Sequence, residues 1–202
     1  MAPAWSFDGT DVMHVPPLSL GLALLAGVAI AAACGLRAFL PLFVLGLAAR
    51  FAGVELAPAA HWLGSDAALI GLGTATVLEI LADKIPVVDH ALDVVATVVR
   101  PAAAALAAYG LLVHWPAPVA QLLALLLGGT ALALHAAKAH TRVASSLLTV
   151  GLANPWISLA EDILTALLAA AAFLAPLLAG GLLLLLGLAL VRTRRKRPAA
   201  HA

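Results

Sequence analysis

Long stretches without a charged residue are the feature that most constrains this chain. Residues 18–36 contain no Lys, Arg, Asp or Glu, and comparable apolar runs recur as far as residue 192. A transmembrane helix needs about 20 consecutive, mostly apolar residues. The 202 residues are 64% hydrophobic and only 10% charged, which is too apolar for a soluble globular fold or a disordered chain. The sequence therefore predicts an all-α, polytopic membrane protein.

Six apolar runs are long enough to cross a bilayer, and two are too short. The six predicted spans are residues 18–36, 67–83, 94–114, 118–137, 157–175 and 177–192. The first short run, residues 38–53, contains Pro41. The second, residues 143–153, is followed by Asn154-Pro155. Both predict re-entrant or half-length helices, whose ends have to be covered by protein or face a water-filled cavity.

An internal repeat is expected to divide the transmembrane domain, residues 18–192, into halves 18–114 and 118–192. The segment that begins at Arg37 aligns with the segment that begins at Arg142, and Arg, Leu, Gly, Leu and Ala coincide. Three crossings and one short helix in each half would make the halves inverted, as in many transporters. The alternative is chance similarity between segments rich in Leu, Ala and Gly.

The charge distribution predicts an orientation. The N-terminal segment, residues 1–17, lacks Lys and Arg, which disfavours a cleaved signal. Five basic residues lie in the tail, residues 192–197, and a basic tail after an apolar helix is typical of a cytoplasmic end. The last predicted span ends at residue 192, and the basic cytoplasmic tail covers residues 193–202. Six crossings then place both termini in the cytoplasm, together with residues 84–93 and 138–142. Arg50, Glu55 and Asp66 then lie outside.

This orientation predicts a multi-pass membrane protein with both termini in the cytoplasm. We expect the lipid bilayer and a small ion or solute as partners, and no nucleic acid. Whether the chain forms a homo-oligomer is left open.

Polar and ionisable residues are concentrated near the predicted span ends. Ionisable residues at membrane depth are costly and mark functional sites by default. The candidate ligand or ion pathway consists of Arg37, Glu79, Asp83, Lys84, Asp89, Asp93, Arg100, Lys138, Arg142, Ser145, Asn154, Glu161 and Asp162. The six-span topology gathers these clusters at the cytoplasmic ends of their helices.

Two pairs of carboxylates in this set are four residues apart. Glu79 shares a helix face with Asp83, and Asp89 with Asp93. Such pairs are candidate ligands for Mg²⁺ or another divalent cation. The alternative is that Asp89 and Asp93 belong to a solvated loop.

The cations in the set suit an anionic ligand. Arg100, Lys138 and Arg142 have the chemistry to hold a phosphate or another anion. The alternative is structural: Glu79 or Glu161 pairs with Arg100 or Arg142 and holds the bundle together. His135 is predicted to lie at the membrane interface.

The polar motifs resemble those of one family. They are Gly35-Leu-Arg37-Ala-Phe-Leu-Pro41, Glu79 to Asp83-Lys84-Ile-Pro86-Val-Val-Asp89, Val99-Arg100-Pro101, and Lys138-Ala-His140-Thr-Arg142 through Asn154-Pro155 to Glu161-Asp162. Over residues 18–175 the chain resembles the bacterial membrane proteins catalogued as domain of unknown function 4126. The resemblance implies a small polytopic protein of a bacterial inner (plasma) membrane and no particular activity. The family often has a glycine after Arg-Pro, where this chain has alanines.

Three functions are compatible with these features. The first is a small transporter or channel for an ion or small anionic solute, with a charged vestibule that faces the cytoplasm. The second is a Mg²⁺-dependent membrane enzyme that acts on a lipid phosphate or pyrophosphate. The chain lacks the motifs of soluble enzymes, so no catalytic residue is assigned and an enzyme is less expected. The third is a structural or assembly subunit.

Overall fold

The computed structural model describes the backbone of residues 17–83, 86–150 and 152–195, and the side chains of 19–83, 94–150 and 152–174. Within these ranges the chain is helical and contains no strand, which confirms the all-α prediction. The helices are α1 (Pro17–Leu36), α2 (Phe39–Phe51), a 3₁₀ helix (Pro58–Gly64), α3 (Asp66–Ala82), α4 (Pro86–Leu111), α5 (Ala117–Thr149) and α6 (Asn154–Arg195).

Four of the described helices are long and apolar enough to cross a membrane. They contain the stretches Ser19–Leu36, Val94–Leu111, Ala117–Thr149 and Asn154–Leu174. The 3₁₀ helix and α3, which meet at a bend of 71°, make a fifth crossing if they are counted as one span. The apolar helices are those of a multi-pass membrane protein, and the described residues contain four or five candidate crossings.

The helices differ from the predicted segments because α5 and α6 continue where the sequence predicted breaks. The predicted spans 157–175 and 177–192 belong to one helix, α6. Residues 143–149 are the last turns of α5, so the half-length helix predicted at 143–153 is wrong. The prediction took Lys138 and Arg142 as the end of a span, whereas both side chains are buried in the bundle. The other predicted short helix, at 38–53, is confirmed as α2.

The bundle has two ends, which we call the Trp115 end and the Asp83 end. The indole Nε1 of Trp115 donates to the Leu20 carbonyl in the first turn of α1, at 3.3 Å. At the opposite end of α1, the Leu36 carbonyl accepts from Lys138 Nζ, at 3.4 Å. Arg37, which directly follows α1, contacts Asp83 at 2.7 Å. The start of α1 and Asp83 therefore lie at opposite ends, and the predicted topology, which puts the start of α1 and the end of α3 on one side, is wrong here.

Small residues let α1, α4 and α5 pack backbone to backbone. A Cβ atom at Gly128 would lie 2.8 Å from the Pro101 carbonyl oxygen, and one at Gly35 would lie 2.9 Å from the Ala131 carbonyl oxygen. Only glycine permits such approach, as is common between membrane helices. The backbones of α4 and α5 thus approach closely beside Arg100-Pro101 because Gly128 of α5 lacks a side chain, although alanines follow Pro101 on α4.

One face of α5 is buried along its whole length. Its buried residues, spaced three or four apart, are Ala120, Ala124, Leu127, Gly128, Ala131, His135, Lys138, Arg142 and Ser145. This face is apolar as far as Ala131 and polar from His135 onward. The change from apolar to polar places charged side chains inside the bundle, near its Asp83 end.

Candidate functional site

Eight charged side chains meet at the Asp83 end of the bundle, and we call them the ionic cluster. Its members are Arg37, Glu79, Asp83, Arg100, Lys138, Arg142, Glu161 and Asp162. The four cations face four carboxylates, so the formal charges balance. The side chains come from five parts of the chain: the ends of α1 and α3, the interior of α4 and α5, and the first turns of α6. Residues that lie far apart in the sequence thus converge in space.

Asp83 lies at the centre of the cluster. Its Oδ2 accepts from Arg37 Nη2 at 2.7 Å and from Arg142 Nη2 at 2.6 Å. The Ser158 hydroxyl donates to the same oxygen at 2.8 Å, and Lys138 Nζ lies 3.9 Å from Oδ1. A carboxylate at the C-terminal end of a helix, here α3, is disfavoured by the helix dipole. These donors from α1, α5 and α6 therefore hold it in place.

Glu79 joins α3 to the start of α2. Its Oε1 accepts from the Ala38 backbone N–H at 2.9 Å, and its Oε2 from the Phe39 N–H at 3.1 Å. A carboxylate at a helix N-terminus satisfies unpaired N–H groups and is favoured by the helix dipole. Arg100 Nη2 lies 3.9 Å from Oε1, and Arg37 Nη1 donates to the Glu79 carbonyl at 3.3 Å. Glu79 therefore fixes the point at which the chain reverses after α1.

Glu161 is held by two cations from one helix. Lys138 Nζ and Arg142 Nη2 each lie 2.9 Å from Glu161 Oε2. Lys138 and Arg142 are four residues apart on α5 and so share a face. The neighbouring Asp162 points to another cation, with its Oδ1 2.6 Å from Arg37 Nη2. The first turns of α6 thus contribute two carboxylates to different partners.

His135 extends the cluster along α5. Arg100 Nη1 donates to His135 Nδ1. A guanidinium can only donate, so Nδ1 is the unprotonated nitrogen and Nε2 carries the hydrogen. Nε2 lies 3.4 Å from the Thr97 hydroxyl. His135 is 5% exposed, so the prediction of an interfacial histidine is wrong.

One further polar residue, Ser158, belongs with the cluster. Ser158, which was not among the predicted site residues, donates to Asp83 and accepts from Arg37 Nη2 at 3.2 Å. A signal for it was present, because Ser158 and Glu161 begin a buried stripe with three- and four-residue spacing on α6. The same spacing on α5 relates His135 to Lys138.

Some predicted site residues lie elsewhere. Asn154 Nδ2 donates to Ser146 Oγ at 2.9 Å, in the α5–α6 turn rather than in the cluster. Ser145 lies one turn beyond Arg142, where it is buried and its Oγ has no hydrogen-bond partner among the described residues. The side chains of Lys84, Asp89 and Asp93 lie outside the described residues.

The described part of the cluster does not form a metal centre. Both oxygens of Glu79 accept backbone N–H groups, while Asp83 Oδ2 accepts from arginines. The two carboxylate groups therefore do not face each other across a shared metal position, which is the arrangement that the four-residue spacing predicted. Among the described side chains, no group of three or more His, Cys, Asp or Glu could hold a metal ion. The predicted pair Asp89 and Asp93 is not included in this statement.

The cluster lies below the tip of the α5–α6 hairpin rather than at its end. Residues 143–160 contain no charged residue. The tip instead exposes large apolar side chains, which include Leu147, Leu148, Val150, Leu152 and Trp156. Lys138 and Arg142 precede the end of α5 by about two to three turns. On α5 and α6 the charges are therefore inside the bundle, and the prediction that they gather at helix ends is correct only for α1 and α3.

The cluster is enclosed by protein. Arg37 is fully buried, and Arg100, Lys138 and Arg142 are 3%, 5% and 8% exposed. In this structure the charges form a closed network rather than the open vestibule that the sequence predicted.

The Trp115 end has charges of a different kind. Arg50 Nη2 pairs with Asp66 Oδ1 at 2.8 Å, but the two side chains are 41% and 78% exposed. Beside them an open groove of about 520 Å³ is lined by residues that include Arg50, Glu55 and His61. As predicted, Arg50 and Asp66 lie at the end of the bundle opposite Asp83.

The two arginines of the predicted repeat meet at the same carboxylate. Arg37 follows α1, whereas Arg142 lies inside α5, so their positions within helices differ. Both nevertheless donate to Asp83 Oδ2. The inverted repeat itself stays a prediction.

An all-helical, multi-pass membrane protein with a balanced ionic cluster buried among its spans is the class that fold and site define. A family model described as a domain of unknown function, DUF4126, matches residues 24–196. The chain belongs to this family. No curated protein and no solved structure matched the chain. The function therefore has to be argued from the cluster.

Proposed function

We propose that the protein is a small transporter or channel for an ion or a small anionic solute, and that the ionic cluster is its closed gate. The observation that carries this proposal is the shared oxygen of Asp83, to which Arg37 and Arg142 both donate. Arg142 also donates to Glu161. It can therefore shift between two carboxylates without losing all of its partners.

The energetic cost of the cluster supports a functional role. Removing an ion from water costs several kcal/mol even in relaxed proteins, and a well-packed apolar replacement is often as stable as the ion pair. A bundle that only needed stability would be served by the small apolar packing that surrounds Gly128. Eight charges inside the spans favour a role that requires charge.

The breaks between helices support the same proposal. The α1–α2 break falls at Arg37, and α3 ends at Asp83, so both breaks adjoin the cluster. In many transporters interrupted helices meet at the ion or substrate site, because helix ends there offer unpaired backbone groups. Here one such end, the start of α2, is occupied by Glu79. Movement of α3 would free those N–H groups.

Flux through liposomes tests the proposal. The purified chain is reconstituted, and the uptake of protons, alkali cations, chloride and small organic anions is followed. We expect flux of at least one of these above protein-free liposomes. The double variant Lys138→Met/Glu161→Met removes one charge of each sign, keeps similar volumes, and should abolish most of that flux while the protein remains folded.

The matched control removes one charge of each sign at the other end. Arg50→Gln/Asp66→Asn lies at the exposed pair and should leave the flux near the unmodified level. Absence of flux for every solute in the unmodified protein contradicts the proposal. So does a double variant in the cluster that transports as well as the unmodified protein.

A structural or assembly subunit is the second candidate, and the balance of charges favours it. Each described member of the cluster has an opposite charge within 4 Å, as expected of a lock between helices. On this alternative, Lys138→Met/Glu161→Met has no functional effect beyond stability. Equal growth of cells that carry the double variant and the unmodified gene, together with absence of flux, would select it.

A further inference from the structure

We propose that Lys138 and Arg142 form a binding site for the carboxylate of a small organic acid, which Glu161 occupies in the closed structure. This inference rests on the proposed function, since it names the solute class that the gate would pass. The Glu161 side chain is then a tethered stand-in for the solute.

The geometry is that of a carboxylate site. Two cationic donors, Lys138 Nζ and Arg142 Nη2, converge on one oxygen at 2.9 Å each. Both residues are more than nine-tenths buried, at 5% and 8% exposed. Charge-assisted hydrogen bonds in such surroundings are strong and select acceptors of this shape. The site is therefore already built for a carboxylate, whichever molecule supplies it.

Glu161 is easier to displace than Asp83. The ion pairs of Glu161 are made to a single helix, α5, whereas those of Asp83 also come from α1. Ser158 and Asp162, on the neighbouring turns of α6, keep their contacts to Asp83 and Arg37, so α6 remains anchored when the Glu161 side chain rotates. The carboxylate can thus leave without a change in the helix that carries it.

A buried hydroxyl lies one helical turn from the site along α5. Ser145 is one turn beyond Arg142 on the same buried face and is 8% exposed. Its Oγ has no hydrogen-bond partner among the described residues, and buried hydroxyls are rarely left so. A solute that extends about 5 Å, one helical turn, beyond the Glu161 carboxyl group would offer that hydroxyl a partner.

Charge balance requires that the solute be an anion. The groups that face Glu161 are Lys138 and Arg142 from α5, with Asp83 behind Arg142 at the end of α3. Departure of the Glu161 carboxylate leaves this group one negative charge short. A monovalent carboxylate that takes its place restores the balance.

Acetate binding to the purified full-length chain tests the site. Glu161→Ala vacates it, and we expect saturable acetate binding by calorimetry, with acetamide as the neutral probe of the same shape that does not bind. Adding Lys138→Met should weaken acetate binding by about tenfold or more, since a hydrogen bond to a charged group is lost. Asp162→Ala is the matched control: it removes the adjacent carboxylate, which pairs with Arg37 instead, and should not create acetate binding.

A second measurement compares the variant with the unmodified chain. Acetate should bind the unmodified chain more weakly than it binds Glu161→Ala, because the tethered Glu161 carboxylate competes for Lys138 and Arg142. A folded Glu161→Ala variant that binds acetate no better than acetamide overturns the site. Equally tight acetate binding to the unmodified chain and to Glu161→Ala also overturns it.

The outcomes separate the site from the transport proposal. Flux of other ions without acetate binding refutes the carboxylate site and leaves the transporter. Acetate binding by Glu161→Ala, with no flux of any solute through the unmodified protein, supports the site and refutes transport.

Discussion

The buried face of α5 is stabilised in two different ways along its length. From Ala120 to Ala131 it packs through small apolar residues, and Gly128 lets the backbone of α4 approach it directly. From His135 to Ser145 this face is polar, and His135 and Arg142 form hydrogen bonds to charged groups of other helices. The spacing of buried residues is the same in both parts. What differs is that apolar packing depends on size, whereas ionic packing depends on every partner being present.

The largest expected effect follows from removing the shared acceptor of the polar part. Asp83→Asn leaves Arg37 and Arg142 with less compensation, and breaking a buried ion pair costs about 3–5 kcal/mol. We expect thermal unfolding in detergent to occur at a clearly lower temperature. Asp66→Asn, at the exposed pair with Arg50, is the control and should cost about 0–1 kcal/mol. Equal losses for the two variants would show that the two kinds of ion pair do not differ.

A smaller loss is expected when the apolar part is overpacked. Gly128→Val places a side chain against the Pro101 carbonyl, where even a Cβ would be at 2.8 Å. Overpacking typically costs about 1–3 kcal/mol. The neighbouring Gly129→Ala is the control, because no atom lies within 4 Å of its added Cβ. Denaturant or thermal unfolding compares the two. A stable Gly128→Val variant would mean that α4 and α5 can separate at no cost.

Glu79, a member of the ionic cluster on α3, is expected to show an intermediate effect. Glu79→Gln removes the negative charge at the start of α2 and replaces one acceptor by a donor that faces a backbone N–H. The loss of a helix cap costs about 1 kcal/mol. Thermal unfolding measures the loss, with Glu55→Gln at an exposed loop position as the control. A Glu79→Gln variant as stable as the control would argue that the cap contributes nothing.

The smallest expected effect is a gain outside both parts. Val150, which follows α5, has a φ of 53°, and a left-handed conformation costs a residue with a Cβ about 1–2 kcal/mol. Val150→Asn should raise stability by up to about 1 kcal/mol, because asparagine tolerates this conformation better. Unfolding experiments on this variant and on Leu152→Asn, which is exposed nearby, distinguish the backbone effect from a loss of apolar surface. A loss in both variants would contradict it.

The sequence predicted the helical class and the short α2, and the candidate pathway includes all eight members of the ionic cluster. Apolar runs and isolated charges are local features, so they can be recognised without a structure. That these residues form an ion pathway stays a prediction. It did not predict the continuity of α5, since Lys138 and Arg142 end an apolar run whether or not a partner buries them. The same two residues supported the predicted orientation as loop charges. They lie inside the bundle, so which end of the protein faces the cytoplasm stays a prediction.

The partners within the cluster depend on tertiary structure. The four-residue spacing of Glu79 and Asp83 indicated a shared ligand, yet one carboxylate faces backbone N–H groups and the other faces arginines. Nothing local distinguishes these roles. Ser158 was missed for the same reason, because a lone serine in an apolar helix is ordinary until its neighbours are known.

The contacts between α2 and α3 have a mechanical consequence. Glu79 ties the end of α3 to the first turn of α2, and Arg50 in the last turn of α2 pairs with Asp66, the first residue of α3. Between these ties the Phe43 ring lies within 3.2 Å of where a Cβ of Gly73 would be. The two helices are thus in contact at both ends and at the middle. A tilt of α3 that followed the loss of a partner of Asp83 would therefore displace α2 as well, including its end at the groove beside Arg50.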